Sequence, residues 1–498
     1  MDWRVPTTPA TASALRSRLA DIDATIAGFE TQLALLRAER ELVSENLSCI
    51  LYPILNLPPE MTAEIFLRYV DTASKGSRKG NLIHNPLPLA SVCRAWRAVA
   101  TSTCALWARI NINTTLLCDA ENLLASWIPR SGNLPLDLDI TLPGIESPAR
   151  DGILRILAQC SSQWMNLHLQ SYAPILFPAD GIRGPLTALK KLRIEIISDP
   201  GRICMTAFLE APELREIAIT GLSVAQISLP WNRLTRLELD CQSLSQCLGI
   251  IEETPELETL SVSVDGLDSQ TQTPAGVPRR TLSHLHNLDL SDEQSLELLP
   301  HLKLPKLECL AIHSLSRGSV GLVNELVLGS RCTLLAFHLA NTEFEATYDC
   351  LSSNCLASIR ELTLKAPRFH TQNFDVLFTW IASAMLPSLE ALNLEDCRQI
   401  KLHALTRMLT TRWYGDGGKR IRSLSLSVDY NGPDSAIEAD ISRLRDLRRE
   451  GLNVEIRCAQ NWITPEVNSQ MADEIMGRLP FEPVIAKQLN PNFQFGFI

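Results

Sequence analysis

Hydrophobic and polar positions follow three different rhythms along this chain. From Leu15 to Ile50, apolar residues recur in steps of four and three: Leu15, Leu19, Ile22, Ile26, Phe29, Leu33, Leu36, Val43, Leu47 and Ile50, with Arg40 at the one polar step. This is a heptad seam of about five repeats, flanked by charges such as Arg16, Arg18, Asp23, Glu30, Arg37 and Glu39. It predicts a helix over 12–52, ended by Pro53. An isolated helix of this length is marginal in water. It therefore either dimerises through residues 15–50 or folds back on its own chain, and the sequence leaves both open.

Over 53–110 the rhythm becomes that of short amphipathic helices. The first begins Leu57-Pro58-Pro59-Glu60-Met61-Thr62-Ala63-Glu64-Ile65-Phe66-Leu67. Proline suits the first helical positions, where the missing N–H costs nothing, and Glu60 complements the helix dipole. Met61, Ile65 and Phe66 read as one face, widened by Leu67 and Val70. A later segment supplies Leu89, Val92, Cys93, Trp96, Val99 and Ala100 at three- and four-residue steps. Between them a polar stretch, 71–88, reads as an insert. Two short helices cannot bury two broad apolar faces against each other alone, so this module predicts a partner.

From about residue 134 the pattern Leu-x-x-Leu-x-Leu recurs, with other apolar residues as substitutes. Leu136-Leu138-Ile140 reads as a starting strand and Trp164-Leu167-Leu169 as an early copy. Copies follow at Leu189, Leu214, Leu234, Leu257, Leu285, Leu307, Leu334, Ile359, Leu389 and Ile421, and Leu452 to Ile456 reads as a last strand. Their mean spacing is about 26 residues. Each copy predicts a short strand with positions 1, 4 and 6 inward. One such strand cannot bury that face alone, so stacked neighbours must form a parallel sheet. Between strands, Thr206–Leu209, Leu244–Ile251 and Phe374–Met385 read as helices. Positions 3, 5 and 7 face the other way, and Arg193, Arg236, Glu238, Asp240, Asp289, His313, His338, Asn393 and Glu395 are candidate contacts to a target there.

Composition narrows the classes. The chain has 498 residues, 45% hydrophobic and 20% charged, with a net charge of −10. That balance, and the lack of an arginine stripe or stacking ladder on the outward positions, argues against nucleic acid. No apolar run approaches the roughly 18 residues of a membrane span. Met1-Asp2-Trp3-Arg4-Val5-Pro6 has no apolar secretory core, so the 14 cysteines are expected to be reduced and the protein cytoplasmic or nuclear. No Cys-x-x-Cys pair, phosphate loop or Gly-x-Ser-x-Gly elbow occurs, and no cofactor or metal is expected.

The residues from Leu57 to Phe66, with Ser91-Val92-Cys93-Arg94-Ala95-Trp96-Arg97-Ala98-Val99-Ala100 and Leu106-Trp107 beyond, resemble an F-box. This is the three-helix module of substrate receptors in SCF-type ubiquitin ligases. The resemblance implies docking on a Skp adaptor, and through it on a cullin, by Leu57, Pro58, Pro59, Glu60, Ile65, Phe66, Val92, Cys93 and Trp96. The insert departs from the family pattern by lengthening the gap between the two sub-motifs. The repeats of 111–457 resemble an α/β leucine-rich repeat solenoid, with a parallel sheet on the concave side and helices on the convex side. The whole arrangement resembles the expanded F-box families of basidiomycete fungi. Residues 1–11 read as a flexible start and 458–498 as a cap or tail. The function implied is a non-catalytic receptor that presents an unknown target protein. The alternative is a ligase-independent scaffold dimerising through the heptad helix.

Overall fold

The computed structural model describes residues 9–48, 53–76, 86–114, 119–264 and 279–458, apart from stretches of one to seven residues within the last two spans. Residues 77–85 of the expected insert, Ile50 of the seam and residues 459–498 lie outside the described residues. The described chain divides between Leu106 and Trp107 into two compact units.

The first unit is helical. Helix α1 (Pro9–Ser48) runs uninterrupted for 40 residues, and its positions 13–46 are all exposed. A 3-10 turn (Pro53–Asn56) leads into α2 (Pro59–Gly76), followed by α3 (Leu87–Val92), α4 (Arg94–Ser102) and a second 3-10 turn (Cys104–Leu106). Pro59 begins α2 as its fixed φ favours. The amide of Thr62 donates to the Pro58 carbonyl at 3.1 Å. Between α3 and α4, Cys93 is extended (φ −155°) and its Sγ accepts the Trp96 amide at 3.4 Å, filling the place an N-cap oxygen usually takes. The Arg97 Nε donates to the Ala90 carbonyl at 2.9 Å and ties α4 to α3.

The second unit is mixed α/β and built on one 14-stranded sheet. Its strands are β1 (Arg109–Asn113), β2 (Leu136–Thr141), β3 (Trp164–Ser171), β4 (Lys191–Ile196), β5 (Glu216–Thr220), β6 (Arg236–Cys241) and β7 (Thr259–Val264). They continue as β8 (Asn287–Leu290), β9 (Cys309–Ile312), β10 (Ala336–Ala340), β11 (Glu361–Lys365), β12 (Ala391–Glu395), β13 (Ser423–Val428) and β14 (Asn453–Cys458). Each strand pairs in parallel with the next in chain order. Parallel neighbours need long crossovers. Several crossovers hold helices: α5 (Ala120–Trp127), α6 (Pro148–Gln159), α7 (Leu244–Glu253), α8 (Val320–Ser330), α9 (Phe344–Leu351), α10 (Thr371–Ala382), α11 (Leu402–Tyr414) and α12 (Ala436–Arg449).

Register explains why the chain repeats as it does. Ile110, Leu138, Leu167, Leu192, Ile217, Leu237 and Leu260 face one another across successive strands. The row continues through Leu288, Leu310, Phe337, Leu362, Leu392 and Leu424 to Val454. Every member is buried. A second row two residues on, from Ile112 through Ile194 and Leu290 to Leu426, is buried likewise. Each strand thus closes its neighbour's apolar surface, which none could cover alone.

Two sequence expectations are corrected here. The sheet begins one strand earlier than Leu136, across the expected boundary at 110/111 between the helical module and the repeats: Arg109–Asn113 pairs with β2, from Arg109 opposite Asp137 to Asn113 opposite Thr141. Its Arg-Ile-Asn-Ile-Asn sequence buries Ile110 and Ile112 by simple alternation, without the leucine signature. Thr206–Leu209, expected as a helix, lies in a turn. It is confined between the bridge at Met205 and Pro212, and a buried Phe208 anchors it.

The residue just after a strand takes a left-handed conformation four times: Gly221 (φ 73°), Asn341 (52°), Ala366 (44°) and Asp396 (49°). The amides of Asn341 and Ala366 each donate to the last residue of the next strand, to the Lys365 and Glu395 carbonyls. Alanine in this region carries strain that glycine does not. Ala366→Gly is expected to raise stability by up to about 1 kcal/mol, read as a higher urea midpoint at unchanged slope; a lower midpoint would refute the strain.

Candidate functional site

Helix α2 carries two apolar stripes about 100° apart. Thr62, Phe66 and Val70 form the first and are buried, Phe66 to 1% exposure. The Phe66 ring meets Trp96 of α4 with centroids 5.0 Å apart, and Leu89, Ala90, Ala100 and Leu106 complete this small core. Met61, Ile65 and Tyr69 form the second stripe and are 55%, 46% and 50% exposed. Leu57, Leu87 and Val92 are exposed as well, Val92 to 60%. Pro58, Pro59 and Glu60 are exposed, and Cys93 and Trp96 are half-buried.

This placement corrects the reading of Phe66. It was expected among the docking residues together with Ile65, but one residue along a helix is a 100° turn. Phe66 therefore closes the module's own core, and Ile65 is left outside. Cys93 and Trp96 act from within: the thiol caps α4, and the indole packs on Phe66. Tyr69, Ile54 and Leu55 are exposed apolar positions that the sequence reading did not single out. Tyr69 was legible as the i+4 successor of Ile65.

On the sheet, the residues that alternate with the buried ones form the outward face; eight of the nine candidate contacts lie on its strands, and His313 follows the end of β9. Its two halves differ. Strands β1 to β6 present a charged lattice. His168 lies 2.8 Å from Asp139 and 3.4 Å from Glu195. Arg193 is 2.6 Å from Glu195 and 3.4 Å from Glu238, and Lys191 is 2.7 Å from Glu216. Burial pulls Glu195 upward, but the hydrogen bond and charge of Arg193, with His168, hold its carboxyl below the usual range. A hollow of about 440 Å³ opens over β2 to β7, between Asp137 and Ser261. Arg236 lines it with no ion-pair partner among the described residues. From β9 onward small side chains take over, among them Ala311, Ala336, Ala340, Ala391, Ser423 and Ser425. There Asn393 donates to Glu361 at 2.8 Å and to Thr363 at 3.2 Å.

His313 stands 3.0 Å from Asp289. The close Asp289 carboxylate raises its pKa above the ordinary histidine value, against partial burial and the Lys365 charge. A raised folded-state pKa stabilises the fold fully below the unfolded value, and the effect fades as pH rises through the folded value. Since His313 is 40% exposed, solvent screens the pair and the gain stays small. NMR titration of His313 is expected to show a midpoint above about 6.5 that falls on Asp289→Asn; an unmoved midpoint would exclude the pair.

Ten described cysteines are free thiols. Burial pushes Cys160 up to about 11 and Cys350 and Cys397 up to about 12. They are protonated at neutral pH and therefore poor nucleophiles.

Comparison with curated proteins finds no match to this chain. A family model does match, over residues 54–113, and its description is F-box-like. The match spans the turn before α2, both apolar stripes of α2, the Cys93 cap, Trp96 and strand β1. Domains of this kind generally bind a Skp adaptor within SCF complexes, a substrate-recognition role. With its core closed by Phe66 and Trp96 and its second stripe exposed, residues 54–113 of this chain are an F-box-like domain.

Proposed function

We propose that this chain is the substrate-recognition subunit of an SCF-type ubiquitin ligase and is itself non-catalytic. The F-box-like domain docks on a Skp adaptor, and through it on a cullin, by Leu57, Pro58, Pro59, Glu60, Met61, Ile65 and Val92. Cys93 and Trp96 hold that surface in shape. The second unit is a leucine-rich repeat solenoid, and its outward face binds a target protein. The site of action is the cytoplasm or nucleus. Ubiquitin transfer belongs to other subunits, so this chain's contribution is to hold the target near them.

One observation carries this reading: Met61 and Ile65 stay about half exposed although the module's core is already complete. An apolar stripe on a closed module marks a protein interface. The test is co-purification of the full chain with a Skp adaptor and cullin. A stable ternary complex supports the proposal, and a chain that binds no adaptor sinks it. The exposed seam of α1 favours a second element, pairing with another copy of the chain through residues 15–50. Were the chain a ligase-independent scaffold, that pairing would persist with no cullin bound.

A further inference from the structure

Leu15, Leu19, Ile22, Ile26, Phe29, Leu33, Leu36 and Val43 line one side of α1, each 47 to 65% exposed. Their 3.5-residue period is that of a helix wound on another helix of the same period. The remaining helices of the first unit have 18, 6 and 9 residues, too short to cover a seam about 42 Å long. A second α1 matches it in length and period. Covering such a seam removes on the order of 1,000 Å² from water, the level at which specific interfaces begin.

We propose that α1 pairs with the α1 of a second copy as an antiparallel two-helix coiled coil. This rests on the pairing reading above and adds its direction. Folded about residue 31, the seam matches itself: Leu19 meets Val43 of the other copy, Ile26 meets Leu36, and Phe29 meets Leu33. Arg40 then falls beside Ile22, with the Asp23 carboxylate flanking that position. In a parallel, in-register pair Arg40 would instead face Arg40 across the seam. Charges beside the seam give each direction one attractive pair, repeated by symmetry: Asp23 with Arg37 when antiparallel, Arg18 with Asp23 when parallel. The antiparallel form brings the two Glu30 side chains together at its midpoint, but at the solvated flank, where like charges cost little. Two arginines within an apolar seam cost more, so Arg40 decides the direction.

The test is sedimentation equilibrium of the full chain with its adaptor bound. The parent is expected to be dimeric, and Ile26→Asp with Leu33→Asp monomeric. Retained adaptor binding in that variant shows that the rest of the chain is folded. Asp23→Arg and Arg37→Asp are each expected to weaken the dimer about tenfold, and the double swap to restore it. A parent that stays monomeric at about 50 µM overturns pairing and direction together. A dimer restored by Arg18→Asp with Asp23→Arg, and not by the Asp23–Arg37 swap, overturns the direction and leaves the pairing. A dimer indifferent to Ile26→Asp with Leu33→Asp lies elsewhere and overturns both.

Discussion

Met61→Glu with Ile65→Glu is expected to abolish adaptor binding, with a loss in affinity of at least about a hundredfold, while the thermal midpoint of the chain barely moves. Both side chains are about half exposed, and polar substitutions at such surface sites change stability within roughly 0.5 kcal/mol. At an apolar interface the same carboxylates are desolvated without partners, which costs several times more. Phe66→Ala separates the two roles of α2. Phe66 is 1% exposed and packs on Trp96, so its truncation leaves a cavity and removes about 3–5 kcal/mol of stability. It too loses the adaptor, but by loosening the module, which circular dichroism reads as a lowered midpoint. If the double glutamate variant bound the adaptor like the parent, the exposed stripe would not be the docking surface.

Gly221→Ala is expected to destabilise the second unit by roughly 2–4 kcal/mol, seen as a lower urea midpoint of the full chain. Gly221 follows β5 at φ 73°, and a Cβ there would run into the backbone carbonyl of Ile196 at the end of β4. The left-handed conformation alone is tolerated, since Asn341, Ala366 and Asp396 adopt it with side chains. What sets Gly221 apart is the clash with a backbone atom, which no rotamer relieves. An alanine variant as stable as the parent would mean that β4 and β5 do not approach as closely as described.

Much of the fold was legible because one constraint repeats. Each strand must offer two buried residues to the rows on either side, so Leu192 and Ile194 or Leu392 and Leu394 announce themselves by spacing. Where the constraint is met differently, the sequence reading missed. Ile110 and Ile112 satisfy the same rows without a leading leucine, and Phe208 holds its segment with a turn rather than a helix. The charged lattice joining His168, Arg193, Glu195 and Glu238 was readable only in part. Outward positions follow from alternation, but which partner each charge takes depends on register between segments 25 to 45 residues apart. In the F-box-like domain the broad face of α2 was recognised as one surface. Whether Ile65 or Phe66 turns outward depends on where α4 lies, and Trp96 settles that.

The sheet's strict chain order has a consequence for how the molecule fails. Each strand touches the ones before and after it, so no contact within the ladder ties a distant part of the chain back to close a loop. Unfolding can then start at either end and advance like a zipper, stopping wherever the remaining interfaces outweigh the freedom gained. Under a pulling force, as when an unfoldase draws on one terminus, the sheet would give way in steps of one repeat instead of a single collapse. The strands near β14 would be released first from the C-terminal side, while the charged lattice of β2 to β6 still held its shape.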